Sequence, residues 1–342
     1  MSRSLLASVV SAAALVSATF LVNPTQADVP QPEKKLTWAI VIHGGAGGGV
    51  PKAGAAKAPT GKMSAREELM MSYLTTGREM LAKGATAMDT CEKIVRAMED
   101  SGKFNCGKGA TSTGEGKHSL DAAIMDGSNL KFGSIAGVKT IKNPISTARA
   151  VMDKTKHVMI IGPGAEEFAA KSGQEIVPLS YFNANKKAKT EEDDYQPVEG
   201  GGTVGCVCLD QKGNLCAATS TGGIGVVMPG RVGDAPICGA GTYANNKTCA
   251  VSGTGTGEYF IRHNVAHTIS ALMEYKGLSA QKAADEVVMK TLSPGIGGVI
   301  VVSHTGEIAM PFNTASMARA AADSSGRIEV GTGAGIRSEK VK

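Results

Sequence analysis

The sequence predicts an α+β protein built as a layered sandwich. Three observations carry that prediction. Short β-branched runs fall in adjacent pairs separated by turn signals, helical segments group between those pairs, and glycine-rich loops stand at the ends of the apolar runs. Paired strands with segregated helices suit stacked sheets better than alternating βαβ units. The 342 residues are 42% hydrophobic and 20% charged, enough for two conventional domains or one large unit. Glycine stands out, with 44 residues against 13 prolines, clustered as GGAGGG (44–49), GPGAEE (162–167), GTGTGE (253–258) and GTGAG (331–335). No repeat of solenoid or propeller period occurs.

Thr37–His43 (TWAIVIH) is expected as a buried strand running into a backbone loop, GGAG. Residues 64–83 and 85–100 read as two amphipathic helices separated by Gly84. The first opens SAREE, where Ser64 and Glu67 make a capping box. His118–Met125 and Lys131–Val138 pair as strands around a DGSN turn. Pro144–Lys154 is helical, His157–Ile161 a strand and Gly164–Lys171 a helix. TVGCVCL (203–209) and NLCAATSTGG (214–223) form a hairpin around DQKG. Strands follow at Ala235–Ala240 and Thr248–Val251, helices at 256–276 and 279–290, and a last strand pair at Gly298–Ser303 and Glu307–Pro311.

Residues 1–27 read as a secretory signal peptide: Arg3 is the positive start, Leu5 to Val22 is apolar and small, and Thr25-Gln26-Ala27 suits cleavage. The small residues and Ala27 weigh against an uncleaved anchor, so the expected protein is exported to the periplasm and keeps no membrane segment. The net charge of +5 is scattered, with no basic stripe interleaved with aromatics, which argues against nucleic-acid binding. Residues 182–202 (FNANKKAKTEEDDYQPVEGGG) are polar and charged and read as a disordered surface linker. Seven cysteines (91, 106, 206, 208, 216, 238 and 249) leave at least one thiol unpaired. Cys206 and Cys208, two apart on a strand, lie roughly 6.5 Å apart with parallel side chains, a poor disulfide geometry. No second Cys/His pair at zinc spacing accompanies them, so buried apolar cysteines are expected.

The linker ends in three glycines directly before Thr203 and a core strand. Cleavage between Gly202 and Thr203 would free an α-amine with a pKa of about 7.7–8.0, able to accept the Thr203 hydroxyl's proton at neutral pH. The cut itself can be intramolecular, the hydroxyl attacking the Gly202 carbonyl with glycines permitting the strained backbone. Thr219 and Thr221 lie on the strand returning toward Thr203. GRVGDAP (230–236) supplies Arg231, whose fork suits a carboxylate, and Asp234, which suits an ammonium. SGTGTGEYFIR (252–262) sets Thr254 and free backbone N–H groups at a helix start, suited to an oxyanion.

Other readings compete. CGAGTYA (238–244) offers a GxGxxA for a nucleotide, but without the βαβ unit and acidic residue of a dinucleotide site. His263 and His267 could hold a metal from one helix, without the glutamate of a zincin. A non-catalytic periplasmic binding protein could use Arg231 and Asp234 to hold an amino acid.

In order along the chain, IHGGAG, FNCGKGA, LDAAIMDG, GTVGCVCLD, GNLCAATSTGG, PGRVGDAP, CGAGTYANN, SGTGTGE and PFNT resemble the isoaspartyl peptidase/L-asparaginase (plant-type asparaginase) family of N-terminal-nucleophile hydrolases, from about Trp38 to Thr314. The resemblance implies a four-layer αββα sandwich, made as a precursor that cleaves itself into residues 28–202 and 203–342. The two subunits form one composite domain, a heterodimer that pairs again. It implies hydrolysis of isoaspartyl (β-aspartyl) dipeptides and L-asparagine with release of L-aspartate, a glycosylasparaginase-like amidase being the alternative. By motif position Thr203 is nucleophile and α-amine base, Thr221 contacts it and Asn105 faces it. Arg231, Val232, Gly233 and Asp234 hold the substrate's α-carboxylate and α-amine, and Thr254, Gly255, Thr256 and Gly257 line the oxyanion and substrate pocket. No cofactor is required; a backbone sodium loop at Glu99, Phe104, Cys106 and Lys108 would steady the pocket. The chain departs from the family in carrying Gly201-Gly202 where a histidine followed by Asp or Gly is frequent, and in a longer 47–62 stretch.

Overall fold

The computed structural model describes residues 36–51, 61–111, 118–182, 202–224 and 228–340; the signal-peptide reading of 1–27 and linker residues 183–201 lie outside the described residues. Strand β1 (Ala39–Gly47) is followed by helices α1 (Ala65–Ala82) and α2 (Ala87–Asp100). Ser64 caps α1 with Glu67 in the expected capping box, and Thr86 caps α2. The hairpin β2 (Leu120–Asp126) and β3 (Phe132–Val138) leads to α3 (Pro144–Lys154), β4 (Met159–Ile161) and α4 (Gly162–Lys171). The hairpin β5 (Val204–Leu209) and β6 (Leu215–Thr221) forms as the sequence predicts.

The second half adds β7 (Thr242–Ala244), β8 (Cys249–Gly255), α5 (Gly257–His263), α6 (Val265–Lys276) and α7 (Ala280–Asp285). After a π-helical turn at Glu286–Thr291 come β9 (Gly297–Ser303), β10 (Ile308–Ala309), β11 (Ser316–Asp323), β12 (Arg327–Gly331) and β13 (Arg337–Lys340). Nine strands form one sheet, in the order β13-β12-β11-β1-β5-β6-β2-β3-β4; four form another, β10-β9-β8-β7. The α+β class read from the sequence is the class observed.

Alternation along the strands sorts the core. On β1 and β5, Ile40, Ile42, Cys206 and Cys208 pack with Leu74, Ile94 and Met98 of α1 and α2. The opposite faces, Ala39, Val41, Val207 and Leu209, meet Ala250, Ile300 and Val302 of the smaller sheet. That sheet's other face, Val251, Val299 and Val301, packs on Phe260, Ile269 and Val288. Period-two alternation therefore puts the central strands β1 and β5 between two apolar environments, each buried aliphatic side chain contributing about 1.5–3 kcal/mol.

All seven cysteines are free, and six are buried as expected, while Cys238 is exposed. The sulfurs of Cys91, Cys206 and Cys208 lie within 4.8 Å of one another, those of Cys206 and Cys208 3.6 Å apart. Cys91 donates to the carbonyls of Cys206 and Cys216. Burial pushes the Cys91 and Cys208 thiols up, so they pack as thiols.

Several expectations are corrected. No strand forms at Ala235–Ala240, which is a turn closed by Ile237 and Gly241 N–H groups donating to the Asp234 carbonyl; the strand starts two residues later. The helix expected over 256–276 breaks at Asn264, whose left-handed φ of 46° ends α5. His263 and His267 therefore sit exposed on two different helices, which removes the one-helix metal reading. The three strands beyond Pro311 are not foreseen, because MARAAAD has the composition of a helix. There, placement beside β1 overrides propensity: the small side chains of Ala318, Ala320 and Ala322 fit beneath α1.

Asp210 ties the β5–β6 turn to α2, accepting from the N–H groups of Lys212 and Asn214 and, at 3.0 Å, from Ala87. Asp210→Ala leaves the buried Ala87 N–H unpaired and opens the turn, and should cost roughly 1–3 kcal/mol, read as a lower denaturation midpoint at unchanged slope.

Candidate active site

Gly202 and Thr203 lie where β5 leaves the core. Gly45, at φ 106°, crosses Gly202 so closely that a Cβ on Gly202 would stand 2.5 Å from the Gly45 Cα, so neither position admits a side chain. The β5–β6 register (Val204 opposite Ser220) carries Thr221 opposite Thr203, and Thr203 Oγ1 donates to Thr221 Oγ1 at 3.0 Å. The Gly223 N–H donates to Thr221 Oγ1 at 3.1 Å, leaving that oxygen set as the acceptor for Thr203.

Asn105 is spent on the turn after Thr221. Its Nδ2 donates to the Gly223 carbonyl at 2.5 Å, its Oδ1 accepts from Thr111 N, and its carbonyl accepts from Gly222 N. Its hydrogen bonds hold that turn and Thr111, and none reaches Thr203, so the facing contact expected from the sequence is replaced by a hold on the turn. From the smaller sheet, buried Thr254 accepts the Ala46 N–H at 3.2 Å, which joins β8 to the glycine loop after β1. Gly255 lies against the Ile296 carbonyl, which accepts the Thr256 N–H, and Gly257 opens α5.

Asp234 is the electrostatic centre of the second half-site. It is buried, its Oδ2 has no hydrogen-bond partner, and burial pushes its pKa up to about 7 against the pull of Arg231. Bare glycines surround the carboxylate: a Cβ on Gly257 would stand 2.6 Å from Oδ1 and one on Gly241 2.7 Å from Oδ2. A partnerless buried carboxylate oxygen in a cradle without side chains is suited to a cationic ligand. Arg231 makes a two-pronged pair with Glu258, Nε to Oε1 and Nη2 to Oε2, both 3.0 Å. That hydrogen bond, then the charge of Arg231, holds the Glu258 carboxyl below its ordinary value. Gly233 packs against the Arg231 fork, with Val232 half-buried between them in sequence.

Glu99 of the expected sodium loop is buried. Its Oε1 accepts from Ser220 Oγ at 2.7 Å and Ile145 N at 3.0 Å, its Oε2 is partnerless, and burial raises its pKa to about 8. Phe104 and Cys106 are buried on the same loop, their carbonyls accepting from Cys106 N and Gly109 N, while Lys108 lies over the Tyr181 ring.

Sequence reasoning passed over Glu258, Asp121 and His43. Glu258 sits at the end of a motif read for its glycines. Buried Asp121 takes the Gly137 N–H at 2.8 Å and bonds the Gly233 backbone, anchoring the Arg231–Asp234 turn; no spacing rule links residues 112 positions apart. His43 is hidden in a motif whose glycines draw the eye.

Thr203 thus presents a half-buried hydroxyl braced by a second threonine at a bare glycine junction, and Asp234 a buried, partnerless carboxylate oxygen in a cradle of glycines. A sequence profile of the asparaginase family matches residues 36–332. The chain is 45% identical over 302 residues to the isoaspartyl peptidase of Escherichia coli K12, covering 82% of this chain and 91% of that protein. It is 44% identical over 302 residues to the isoaspartyl peptidase of Salmonella typhimurium, covering 82% and 94%. To the isoaspartyl peptidase/L-asparaginase of Homo sapiens it is 39% identical over 293 residues, covering 83% and 92%. The chain belongs to the asparaginase family.

The raised Asp234 pKa sets a stability signature. Unfolded, the group ionises near its ordinary value; folded, it stays protonated up to about pH 7. The unfolded state therefore loses the proton first as pH rises, and stability falls between about pH 4 and pH 7, then levels. Asp234→Asn should remove that component, on the order of a few kcal/mol, making the unliganded variant more stable than the parent at pH 7.5 in urea titrations.

Proposed function

We propose that this chain is a self-cleaving threonine hydrolase that releases L-aspartate from isoaspartyl dipeptides and L-asparagine. The observation that carries the reading is the Thr203–Thr221 hydroxyl pair at 3.0 Å, reached through the bare Gly45–Gly202 contact. The helix-on-sheet, sheet-on-sheet and sheet-on-helix packing supports an αββα sandwich of the N-terminal-nucleophile type. The relatives from Escherichia coli and Homo sapiens supply the substrate class by name.

Maturation begins when the Thr203 hydroxyl attacks the Gly202 carbonyl; the C–N bond breaks as the ester forms, and water hydrolyses the ester, leaving a free α-amine on Thr203. Gly201-Gly202 carries no side chain to obstruct the attack. The products are residues 28–202, once the signal at 1–27 is removed on export to the periplasm, and residues 203–342. The two fragments stay together as a heterodimer that pairs again.

In turnover, Thr203 Oγ bonds to the side-chain carbonyl carbon of the aspartyl unit and its proton passes to the α-amine. Thr221 orients the hydroxyl. Thr254 and the backbone N–H groups of Gly255 and Gly257 stabilise the oxyanion, the Thr256 N–H being held by the Ile296 carbonyl. The C–N bond breaks, the leaving amine takes the proton, and water then cleaves the acyl ester through the same amine. Asp234 takes the substrate ammonium on its partnerless Oδ2, and Arg231 turns its fork from Glu258 to the substrate α-carboxylate. A sodium ion beside Glu99 fits the partnerless Oε2, a charge that burial alone disfavours, with Phe104, Cys106 and Lys108 offering carbonyls.

Intact mass tests the reading first. The parent should separate into fragments ending at Gly202 and beginning at Thr203, while Thr203→Ala stays whole; a parent that remains one chain after long incubation would falsify the nucleophile assignment. On an isoaspartyl dipeptide, Arg231→Ala and Asp234→Ala should each raise KM at least tenfold, about 1.4 kcal/mol of substrate binding. Replacing sodium by a quaternary ammonium salt should lower activity of the processed protein and leave Glu99→Gln unaffected by the exchange.

A further inference from the structure

Two loops frame the Gly202–Thr203 junction, and a side chain outside the proposed chemistry ties them together. The first loop, Gly44-Gly45 at the end of β1, crosses Gly202 with Gly45 at φ 106°. The second, Lys103 to Asn105, holds the turn after β6: Asn105 Nδ2 donates to the Gly223 carbonyl, and the Asn105 carbonyl accepts from Gly222 N. The Gly223 N–H on that turn then donates to Thr221 Oγ1, the acceptor for the Thr203 hydroxyl. One loop therefore bears on the bond to be cut, and the other on the hydroxyl that cuts it.

Arg66, in the first turn of α1, reaches both loops. Its Nη2 donates to the Gly44 carbonyl at 2.8 Å and its Nη1 to the Lys103 carbonyl at 2.7 Å. The guanidinium carbon lies 4.2 Å from the centroid of the Phe104 ring. Phe104 is fully buried and presses on the first loop, since a Cβ on Gly44 would stand 2.6 Å from its Cε1. Both acceptors are backbone carbonyls, so the fork is spent on holding loops and not on neutralising an acid. A planar fork with a flat face can bond two carbonyls and cover a ring at once, which the point charge of a lysine cannot. The Gly44–Gly45 peptide is planar, so holding its carbonyl fixes the unit that enters the crossing with Gly202. Glycines have no side chains with which to anchor themselves, and the loop depends on a hold from outside.

We propose that Arg66 is a positioning residue for self-cleavage and turnover, clamping the glycine loop that crosses Gly202 to the loop that holds the Thr221 turn. The clamp sets the Gly202 carbonyl and the Thr203 hydroxyl against each other. Reacting groups misplaced by about 1 Å can lose about a hundredfold in rate, so a loosened clamp is felt at the bond. The hydrogen bonds of Arg66 stop at the two carbonyls; it exchanges no proton and sets geometry only. The role rests on the threonine-hydrolase reading above.

The experiment follows cleavage of the full chain by intact mass over time in the parent, Arg66→Ala and Arg66→Lys, with a melting temperature for each. Arg66→Ala should cleave about tenfold more slowly than the parent, and Arg66→Lys should resemble it. Guanidinium chloride, at a concentration that leaves melting temperatures unchanged, should restore part of the Arg66→Ala rate, and urea at the same concentration should not. Once processed, Arg66→Ala should turn over an isoaspartyl dipeptide with kcat lowered about fivefold and KM within about twofold, the substrate's charged ends being left to Arg231 and Asp234. A folded Arg66→Ala chain that cleaves at the parent rate overturns the proposal. So does slow cleavage that guanidinium leaves unrescued or that merely tracks the folded fraction. A parent that never cleaves removes the hydrolase reading and the proposal together, whereas a parent that cleaves beside an unaffected variant removes the proposal alone.

Discussion

The pairing of β1 with β5 is the constraint on which the rest of this structure depends. Five consecutive residue pairs, from Ala39 opposite Leu209 to His43 opposite Gly205, set two central strands side by side. One residue of slip would turn Ile40, Ile42, Cys206 and Cys208 away from α1 and α2, and Val41 and Val207 away from the smaller sheet. The same register delivers the chemistry. Beyond His43 the glycine loop crosses Gly202, and three residues on, Ala46 donates to Thr254 of the other sheet. Core burial and site assembly are thus one event: the strand that buries Val41 also brings its own loop against the Gly202–Thr203 bond.

Charge is handled differently in the two halves of the site. Around Thr203 the groups are neutral hydroxyls and backbone N–H groups, hydrogen-bonded in sequence from Gly223 through Thr221 to Thr203. Around Asp234 and Glu99 the protein buries carboxyls that lack a full set of partners, and both are pushed toward the protonated form. Such groups weaken the empty protein and are tolerable because the hydrophobic layers on either side are extensive. On the proposed function a cation bound at either carboxylate would offset that cost, drawing affinity from stability the empty fold forgoes. Arg231 meets the same problem by pairing with Glu258, which is itself partly exposed.

What could be read from the sequence alone follows a physical division. Local signals were legible because they act within a few residues: the Ser64–Glu67 capping box, the β2–β3 and β5–β6 turns, the α3 start at Pro144, and the permissive Gly202 before Thr203. Residue placement was legible too, in a threonine hydroxyl directly behind a glycine pair and an arginine near an aspartate. Propensity misled where burial overruled it, in the alanine-rich β11, and where a single left-handed residue, Asn264, broke a continuous apolar pattern. The partners of each site group were decided only in three dimensions: Glu258 against Arg231, Asp121 under Gly233, Asn105 on the 222–223 turn, and His43 with Ser252, 209 residues apart. Hydrogen-bond direction and burial depend on which strands become neighbours, and that is a property of the packed layers rather than of any stretch of chain.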